Sequence, residues 1–270
     1  MPPDPASPPP DDLSARVERE RLAHTERDVM AEHNRLKDRF PHLETYPSRL
    51  RLQKAYRQQV TELTGLHVLD YGCGRGDMAL EYLRAGAANV CAIDISSVYV
   101  EDAQRRALQA GFGEDRASFA VMDAHHLEFA EASFDVVAGW SILHHLDPEI
   151  ALGEIHRVLR PGGRVLLWEP LADHPMMRLF RWLTPQARTE DEKPFSGADL
   201  RRLFSSRPWQ SQVAACGLLE APVAAFTSLI MPSRRDNALL RLADWAERRI
   251  SQRGWLLSWN QHMLIHLIKA

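Results

Sequence analysis

The sequence predicts an α/β protein built on a doubly wound, mainly parallel sheet, and two observations support this fold class. Short apolar runs alternate with helical patterns between Leu66 and Pro170, which is typical of strands joined by crossover helices. The runs also have near-continuous apolar centres, as strands that are buried on both faces require. The candidate strands are His67–Gly72, Ala88–Ile95, Ala117–Ala124, Phe134–Trp140 and Gly163–Pro170, and the helices between them are Asp77–Ala85, Ser97–Ala110 and Pro148–Leu159. Ligands of such a sheet bind outside the carboxyl ends of its strands, so functional residues are expected there.

The composition is that of a globular chain that acts on a small molecule. Its 270 residues are 45% hydrophobic, and 33 basic against 36 acidic residues give a net charge of −3. These values exclude a fully disordered chain and lack the positive excess of a dedicated nucleic-acid binder. Cys73, Cys91 and Cys216 have no CxxC spacing, so neither a disulfide framework nor a metal site is predicted. Without a signal-peptide pattern or a long apolar run, we expect a cytoplasmic protein with no stable membrane insertion.

A tail and a helical cap are predicted ahead of the alternating region. Residues 1–12 are rich in proline and acidic, a composition that predicts a disordered tail. Leu13–Phe40 and Ser48–Leu63 are rich in Glu, Arg, Leu and Ala and contain neither Pro nor Gly, so each predicts a helix. These helices form a cap over residues 13–64, and residues 65–170 form the core of the domain.

The last hundred residues are expected to complete the same domain. A helix is predicted to begin near Ser196, and residues 223–230 have the apolar content of a short strand. Asp236–Arg253 repeats apolar residues at helical spacing, and Asn260–Ile268 alternates weakly as a last strand would. The amphipathic helix is interpreted as a lid over the site; a helix covering the sheet, a homodimer contact and peripheral membrane contact are the alternatives.

The strongest local motif is the run VLDYGCGRGD, in which a buried strand ends in a glycine-rich turn and opens onto a helix. Gly72, Gly74 and Gly76 permit a tight turn and allow backbone N–H groups to approach a ligand. The spacing differs from the GxGxxG turn that binds nicotinamide dinucleotides. Asp70, just before the turn, suits a ligand with a cationic group and would repel a pyrophosphate.

The next two strands add groups that fit a nucleoside. Asp94 lies at the end of the second strand, 22 residues after Gly72, which is about the separation at which a carboxylate reaches a ribose diol. The third strand ends in Met122-Asp123-Ala124, which places a side-chain acceptor and a backbone N–H where an adenine edge would lie. The sequence therefore predicts an adenosine ligand.

Five segments in this order resemble the class I S-adenosylmethionine-dependent methyltransferases, in the small-molecule branch called methyltransferase type 11. They are DYGCGRG, IDIS, MDA, FDVV followed by SILHHL, and EIHRVLRPGG, and together they cover about Leu66 to Pro170. The resemblance implies a Rossmann-like sheet of seven strands with an antiparallel last strand. It also implies S-adenosylmethionine as cofactor and S-adenosylhomocysteine as product.

The resemblance assigns a part of that cofactor to each of the motif residues. Asp70 and the turn from Gly72 through Gly74 to Gly76 would hold the methionine moiety, with the backbone of Trp140 and Ser141 facing its amino group. Asp94 would bind the ribose hydroxyls. The adenine would lie between Ile95 and Met122, with Asp123 and Ala124 at its edge.

The candidate catalytic residues follow the fourth and fifth strands. His144 and His145 lie where an acceptor would sit, and a histidine with a near-neutral pKa could take a proton from a hydroxyl or an amine. An HHL sequence is, however, common in this branch irrespective of the acceptor. Glu169 ends the fifth strand among apolar neighbours, where it could act as a base or orient the acceptor. The alternative for Glu169 is that it anchors the following loop through a hydrogen bond.

Two further groups are candidates for the substrate side of the site. Tyr46 and Arg49 lie in the leading helices, which could close over the pocket. Arg188, Asp191 and Glu192 lie in an irregular stretch where substrate loops occur, although a solvated charge run explains them equally well.

The sequence thus predicts a methyltransferase that acts on a small, apolar acceptor such as a secondary metabolite or a lipid-like molecule. Methyl transfer would be a direct displacement at the sulfonium methyl, for which a dedicated base is optional. The alternative is a protein that binds the cofactor without methyl transfer, or an enzyme that uses the sulfonium electrostatically. Methylation of a protein or of nucleic acid is disfavoured because the fourth strand is followed by Trp140-Ser141 instead of an Asn/Asp-Pro-Pro-aromatic motif.

Overall fold

The computed structural model describes residues 13–26, 29–183, 192–205, 208–250 and 254–270. The predicted tail, residues 1–12, and the predicted substrate residues Arg188 and Asp191 lie outside these ranges.

A single seven-stranded sheet forms the centre of the fold. Its strands are β1 (His67–Tyr71), β2 (Asn89–Asp94), β3 (Ala117–Val121), β4 (Phe134–Trp140), β5 (Leu159–Pro170), β6 (Trp209–Cys216) and β7 (His262–Lys269). Their order is β3-β2-β1-β4-β5-β7-β6, with β1 to β5 parallel and β7 antiparallel to both of its neighbours. The five predicted strands and the antiparallel last strand are confirmed. The strand order reverses between β1 and β4, so the ligand crevice of this sheet lies at the carboxyl ends of these two strands.

The helices lie between and around the strands. They are α1 (Leu13–Glu26), α2 (Val29–Arg39), α3 (Pro47–Val60), α4 (Asp77–Arg84), α5 (Ser97–Gln109), α6 (Pro148–Val158), α7 (Pro175–Leu183), α8 (Gly197–Ser205), α9 (Glu220–Ile230) and α10 (Ala238–Ile250). Local capping explains several starts. The Asp147 carboxylate accepts hydrogen bonds from the first amides of α6, and Ser96 Oγ accepts one from Tyr99 N in α5. Within the described residues, no helix is both long enough and apolar enough to cross a membrane.

Two predictions for the flanking regions are corrected by the structure. The predicted strand at residues 223–230 is wrong, because this segment belongs to α9. Its buried residues include Ala221, Ala224 and Thr227, which recur every three residues as one face of a helix requires, whereas Phe226 is exposed. The single predicted helix over residues 13–40 is instead described as α1 and α2, with residues 27 and 28 between them outside the described ranges.

The predicted amphipathic helix is confirmed as α10, but it does not cover the main cavity as a lid would. It packs against α9 and α3, and none of its described residues lines the main cavity. It begins where the side chain of Asn237 accepts a hydrogen bond from Leu240 N at 3.0 Å. The predicted end at Arg253 lies outside the described residues.

The core lies on both faces of the sheet. Along each central strand, successive side chains enter opposite clusters: Val68 and Val136 pack toward α3 and α4, and Leu69 and Val137 pack toward α6. Burial on both faces fixes the register of the strands, and the register in turn fixes which loops meet at the carboxyl edge.

Candidate active site

The glycine-rich turn after β1 requires glycine at two of its positions. Gly72 and Gly76 have φ angles of +76° and +81°. A Cβ on Gly72 would lie 2.6 Å from a side-chain carbon of Ile142, and a Cβ on Gly76 would lie 2.8 Å from the Cβ of Ala103. The turn therefore combines a left-handed backbone with close packing on both sides, which only glycine permits.

Asp94 ties this turn to the end of β2. Its carboxylate accepts hydrogen bonds from Gly74 N at 2.8 Å and from Ser96 N at 3.0 Å. Burial raises its pKa, an effect that these backbone hydrogen bonds oppose. Asp94 lines the cavity, and each carboxylate oxygen can accept a second hydrogen bond from a ligand.

Asp70 lies within β1 under the same turn and is 1% exposed. Its Oδ2 has no hydrogen-bond partner among the described residues, although Asp70 contributes to the cavity wall. Burial, reinforced by the nearby charge of Asp94, raises its pKa to about 8. A cationic group bound above it would favour the ionised carboxylate, so the site is electrostatically suited to such a group.

The end of β3 places Asp123 at the cavity with a fixed orientation. Asp123 Oδ1 accepts hydrogen bonds at 2.8 Å from both His125 N and His125 Nδ1. His125 Nε2 accepts a hydrogen bond from Asp147 N at 2.8 Å, which assigns the donor role toward Asp123 to Nδ1. Burial alone would raise the pKa of Asp123, but the hydrogen bonds from His125 bring it below its ordinary value.

Most of the other predicted cofactor residues also line this cavity, namely Gly72, Gly74, Ile95, Met122, Ala124 and Trp140. Trp140 stacks on Trp168 with ring centres 4.6 Å apart and an interplanar angle of 2°. The next residue, Ser141, has a φ of +58° and donates a hydrogen bond from its N to Trp168 O at 2.7 Å. Gly76 does not line the cavity; its left-handed backbone conformation helps to form the turn that does.

Glu169 is completely buried and does not line the cavity. Its Oε1 accepts hydrogen bonds from Ile142 N at 3.1 Å and Leu143 N at 2.9 Å, and its Oε2 accepts from His144 N at 3.3 Å. Burial raises its pKa to about 7, opposed by the same hydrogen bonds. The expectation that Glu169 meets the substrate is corrected, because its carboxylate binds the turn after β4 that carries the two histidines. The alternative from the sequence, an anchor for the loop that follows Glu169, is also not what these hydrogen bonds show.

His144 and His145 do line the cavity, as predicted for acceptor-side residues. His144 Nδ1 lies 2.7 Å from Glu169 Oε2. Burial lowers the pKa of His144 to about 3 and also lowers that of His145. Both rings are therefore neutral at physiological pH, although charged residues such as Glu20 and Arg181 lie near them.

Arg49 and Tyr46, two of the residues predicted for the substrate side, have different positions. Arg49 lines the cavity, where its guanidinium lies over Trp168 at 5.5 Å and donates to Glu44 Oε2 at 2.9 Å. Tyr46 is fully buried behind the wall, and its hydroxyl donates to Gln261 Oε1 at 2.8 Å. Tyr46 therefore supports the site from outside. Glu192 lies at the wall.

Sequence reasoning missed two groups of wall residues. Glu20 and His24 of α1 approach His145, and an apolar chamber is formed by Leu36, Phe40, Leu43, Met177 and Phe180. Phe40 and Phe180 meet edge to face at 5.1 Å. The spacing of Glu20 and His24 places both on one face of a helix, but only the packed structure shows that this face meets the cavity.

All of these groups surround one cavity of about 500 Å³. One end is formed by the glycine turn with Asp94 and Asp123. The other end is formed by the apolar chamber and by residues 142–145, the turn after β4, which we call the histidine turn. The cavity volume lies in the range of small-molecule binding sites, and Trp140 is part of its wall.

Comparison with known proteins gives a family match for part of the chain. Residues 68–163 match the family model described as a methyltransferase domain. The chain is 42% identical over 104 residues to a 27-O-demethylrifamycin SV methyltransferase of Amycolatopsis mediterranei, an alignment that covers 38% of each chain. It is 36% identical over 129 residues to an O-methyltransferase of Penicillium expansum, which covers 46% of this chain and 45% of the relative. The match thus spans less than half of these relatives' length.

Solved structures match most of the chain at low identity. The [4+2]-cyclase SpnF superposes with a TM-score of 0.55 and 20% identity, covering 80% of this chain and 82% of that one. A phosphoethanolamine N-methyltransferase 2 of Haemonchus contortus gives a TM-score of 0.61 at 18% identity, covering 93% and 59%. At such identity these likenesses establish the Rossmann-like fold alone.

Proposed function

We propose that the chain is a class I S-adenosylmethionine-dependent methyltransferase and that it transfers a methyl group from S-adenosylmethionine to a small, apolar acceptor; the match of residues 68–163 to the methyltransferase-domain model supports this. The observation that carries the proposal is the single cavity that joins the glycine turn and its carboxylates to an apolar chamber. Direct transfer requires both ligands in one enclosed space, and this cavity has the two ends that such a reaction needs.

The residues at the turn end fit S-adenosylmethionine. Asp70 offers a buried carboxylate oxygen without a partner among the described residues, which suits the ammonium group of the methionine moiety. Gly72 holds the backbone where a Cβ would collide with Ile142. Asp94 would hold the ribose hydroxyls and Asp123 the adenine amine, with Ile95 and Met122 on the ring faces and Ala124 at its edge.

When bound, S-adenosylmethionine supplies a methyl group that is already activated on a sulfonium. The chain then has to align the acceptor with this methyl group and exclude water. The apolar chamber and the stacked indoles of Trp140 and Trp168 would serve both purposes.

The histidine turn gives the chamber its polar end. His144 donates from Nδ1 to Glu169, which leaves Nε2 free to accept a hydrogen bond from an acceptor hydroxyl. Glu169 acts here as a positioning residue, since it holds both the ring and the backbone of the turn. A catalytic role for His144 or His145 stays a prediction.

The first test is calorimetric titration with S-adenosylmethionine and S-adenosylhomocysteine. We expect Asp94→Asn to weaken both by at least about tenfold, which is about 1.4 kcal/mol, because an amide cannot accept as strongly at both positions. Asp115→Asn changes an exposed carboxylate and is the matched control. A folded parent that binds neither ligand would contradict the proposal.

Once binding is established, the acceptor is sought by mass spectrometry. Apolar compounds that carry hydroxyl groups are incubated with S-adenosylmethionine and the parent protein, and a gain of one methyl group is scored. Binding without methyl gain over a broad panel would favour the alternative, a protein that uses the cofactor without transferring its methyl group.

A further inference from the structure

Three titratable side chains from α1 and from the turn after β4 meet at the cavity wall, and we refer to Glu20, His24 and His145 as the His–Glu cluster. Glu20 and His24 are four residues apart on α1, so they project from the same face of the helix. His145 comes from the turn after β4. All three line the cavity, and the packing of α1 over this turn brings them together.

The distances within the His–Glu cluster match the edges of a metal coordination polyhedron. Glu20 Oε2 lies 3.2 Å from His145 Nδ1 and 3.4 Å from His24 Nε2. The candidate ligand atoms all lie within 4.8 Å of one another. Ligands at about 2.0–2.1 Å from Zn²⁺ in tetrahedral geometry are separated by about 3.3 Å. The two distances from Glu20 match this separation, and the third pair, His24 and His145, lies within 4.8 Å.

The ligand set is that of a site with open positions. Two imidazoles and one carboxylate hold catalytic zinc in several enzymes and leave the remaining positions to water or substrate. All three residues line the cavity, so an ion between them would lie beside the space that a ligand occupies. A second group, His144, His145 and Glu192, overlaps the first through His145 and adds donors on the same side.

The charges of the residues around the His–Glu cluster nearly balance, so a bound cation would be compensated by an anionic ligand. Glu20 and Glu192 are acidic, and Arg16 and Arg181 also line this end of the cavity. The fixed charges therefore nearly cancel. A divalent ion would leave a positive excess at the chamber, which an ionised acceptor oxygen would offset.

We propose that Glu20, His24 and His145 bind a divalent first-row metal ion of the Zn²⁺ type, with an open coordination position that takes an oxygen of the acceptor. The part of this proposal that concerns the acceptor rests on the proposed function. The binding of the metal ion does not rest on the proposed function, since it requires neither the cofactor nor the acceptor. The site was not predictable from cysteine and histidine spacing, because its ligands come from distant parts of the chain.

The test uses the full chain, stripped of metal with a chelator and then titrated with Zn²⁺ in competition with a chromophoric chelator. We expect one equivalent to bind to the parent. Glu20→Gln and His24→Gln should each weaken Zn²⁺ binding by at least about tenfold. Loss of a residue that only hydrogen-bonds to a metal ligand already costs about tenfold or more in metal affinity, and loss of a ligand itself should cost at least as much. Glu18→Gln is the matched control, since Glu18 lies on the same helix, is exposed and pairs with Arg21.

Cobalt gives a second readout that does not depend on activity. Co²⁺ bound to the parent should show d–d absorption bands of a nitrogen and oxygen site, and Glu20→Gln should lose them. The affinity for S-adenosylhomocysteine is also measured for each variant, so that loss of metal binding can be distinguished from damage to the cofactor site. The proposal is overturned if the parent binds no stoichiometric Zn²⁺, or if Glu20→Gln and Glu18→Gln bind it equally. Zn²⁺ binding without methyl transfer would leave the site in place and count against the proposed function alone.

Discussion

Asp70 shows how a single residue can combine burial with ligand recognition. It is nearly inaccessible, its Oδ2 has no partner among the described residues, and burial with the neighbouring Asp94 raises its pKa to about 8. At neutral pH the free protein therefore holds this carboxyl mainly in its protonated form. An ammonium group above it would lower the pKa and expel the proton.

Binding of S-adenosylhomocysteine at pH 7 should therefore release close to one proton, and the release should fade above about pH 8, where Asp70 is already ionised. Asp70→Asn should bind more weakly and release almost no proton. Calorimetry in two buffers of different ionisation enthalpy measures the number of protons. Equal proton release by the parent and Asp70→Asn would contradict this account of Asp70.

The residues at strand ends could be predicted because local chemistry determines them. Gly72, Asp94 and Asp123 lie at fixed offsets from apolar runs, and the sheet brings those offsets together at one edge. Glu20 could not be assigned in this way, since its role depends on how α1 packs. Glu169 was placed at the correct edge, but its accessibility depends on the turn that closes over it.

Among the elements, α9 and α10 depend on a single buried carboxylate. Glu247 of α10 is 1% exposed and accepts hydrogen bonds from Gly217 N and Leu219 N at 2.8 Å and from Glu220 N at 2.9 Å. Leu219 and Glu220 form the start of α9, where the positive end of the helix dipole lies, and Gly217 lies in the segment just before it. Glu247, a residue of α10, therefore caps the N-terminus of α9.

Glu247→Gln should lower the free energy of unfolding by about 1–3 kcal/mol, because its amide group would face backbone donors in a buried position. Denaturant unfolding measures the change. Glu114→Gln, at an exposed position, should leave the unfolding free energy within about 0.5 kcal/mol of the parent. A Glu247→Gln protein as stable as this control would show that water or another group satisfies the start of α9.

The sequence predicted the central elements better than the outer ones, and the reason is burial. Strands β1 to β5 are buried on both faces and read as apolar runs. β6 was missed because it pairs only with β7 at the edge of the sheet, and its segment WQSQVAAC has few apolar residues. Residues 223–230 are apolar enough for a strand, yet α9 packs small buried residues against its neighbours and exposes Phe226.

At the scale of the whole molecule, the cavity is assembled from the sheet edge and from helices that precede it in the chain. Arg16, Val17, Glu20 and His24 of α1 supply one wall. Arg16 donates to Leu146 O at 3.3 Å, and Thr25 donates to Ser96 Oγ at 3.4 Å, so α1 bridges the turn after β4 and the start of α5. Neither of the two apolar clusters of the described core includes a residue of α1. Closure of the site is thus separable from folding of the sheet.

A variant that lacks residues 1–26 should therefore fold with a similar midpoint of thermal unfolding, yet release S-adenosylhomocysteine roughly tenfold faster or more, because one wall of the cavity is gone. Stopped-flow displacement measures the dissociation rate. A variant that lacks only residues 1–12 keeps α1 and is the matched control. Equal dissociation rates for the two variants would mean that α1 does not retain the ligand. A collapse of the unfolding midpoint in the longer deletion alone would show that α1 belongs to the folding unit of the sheet.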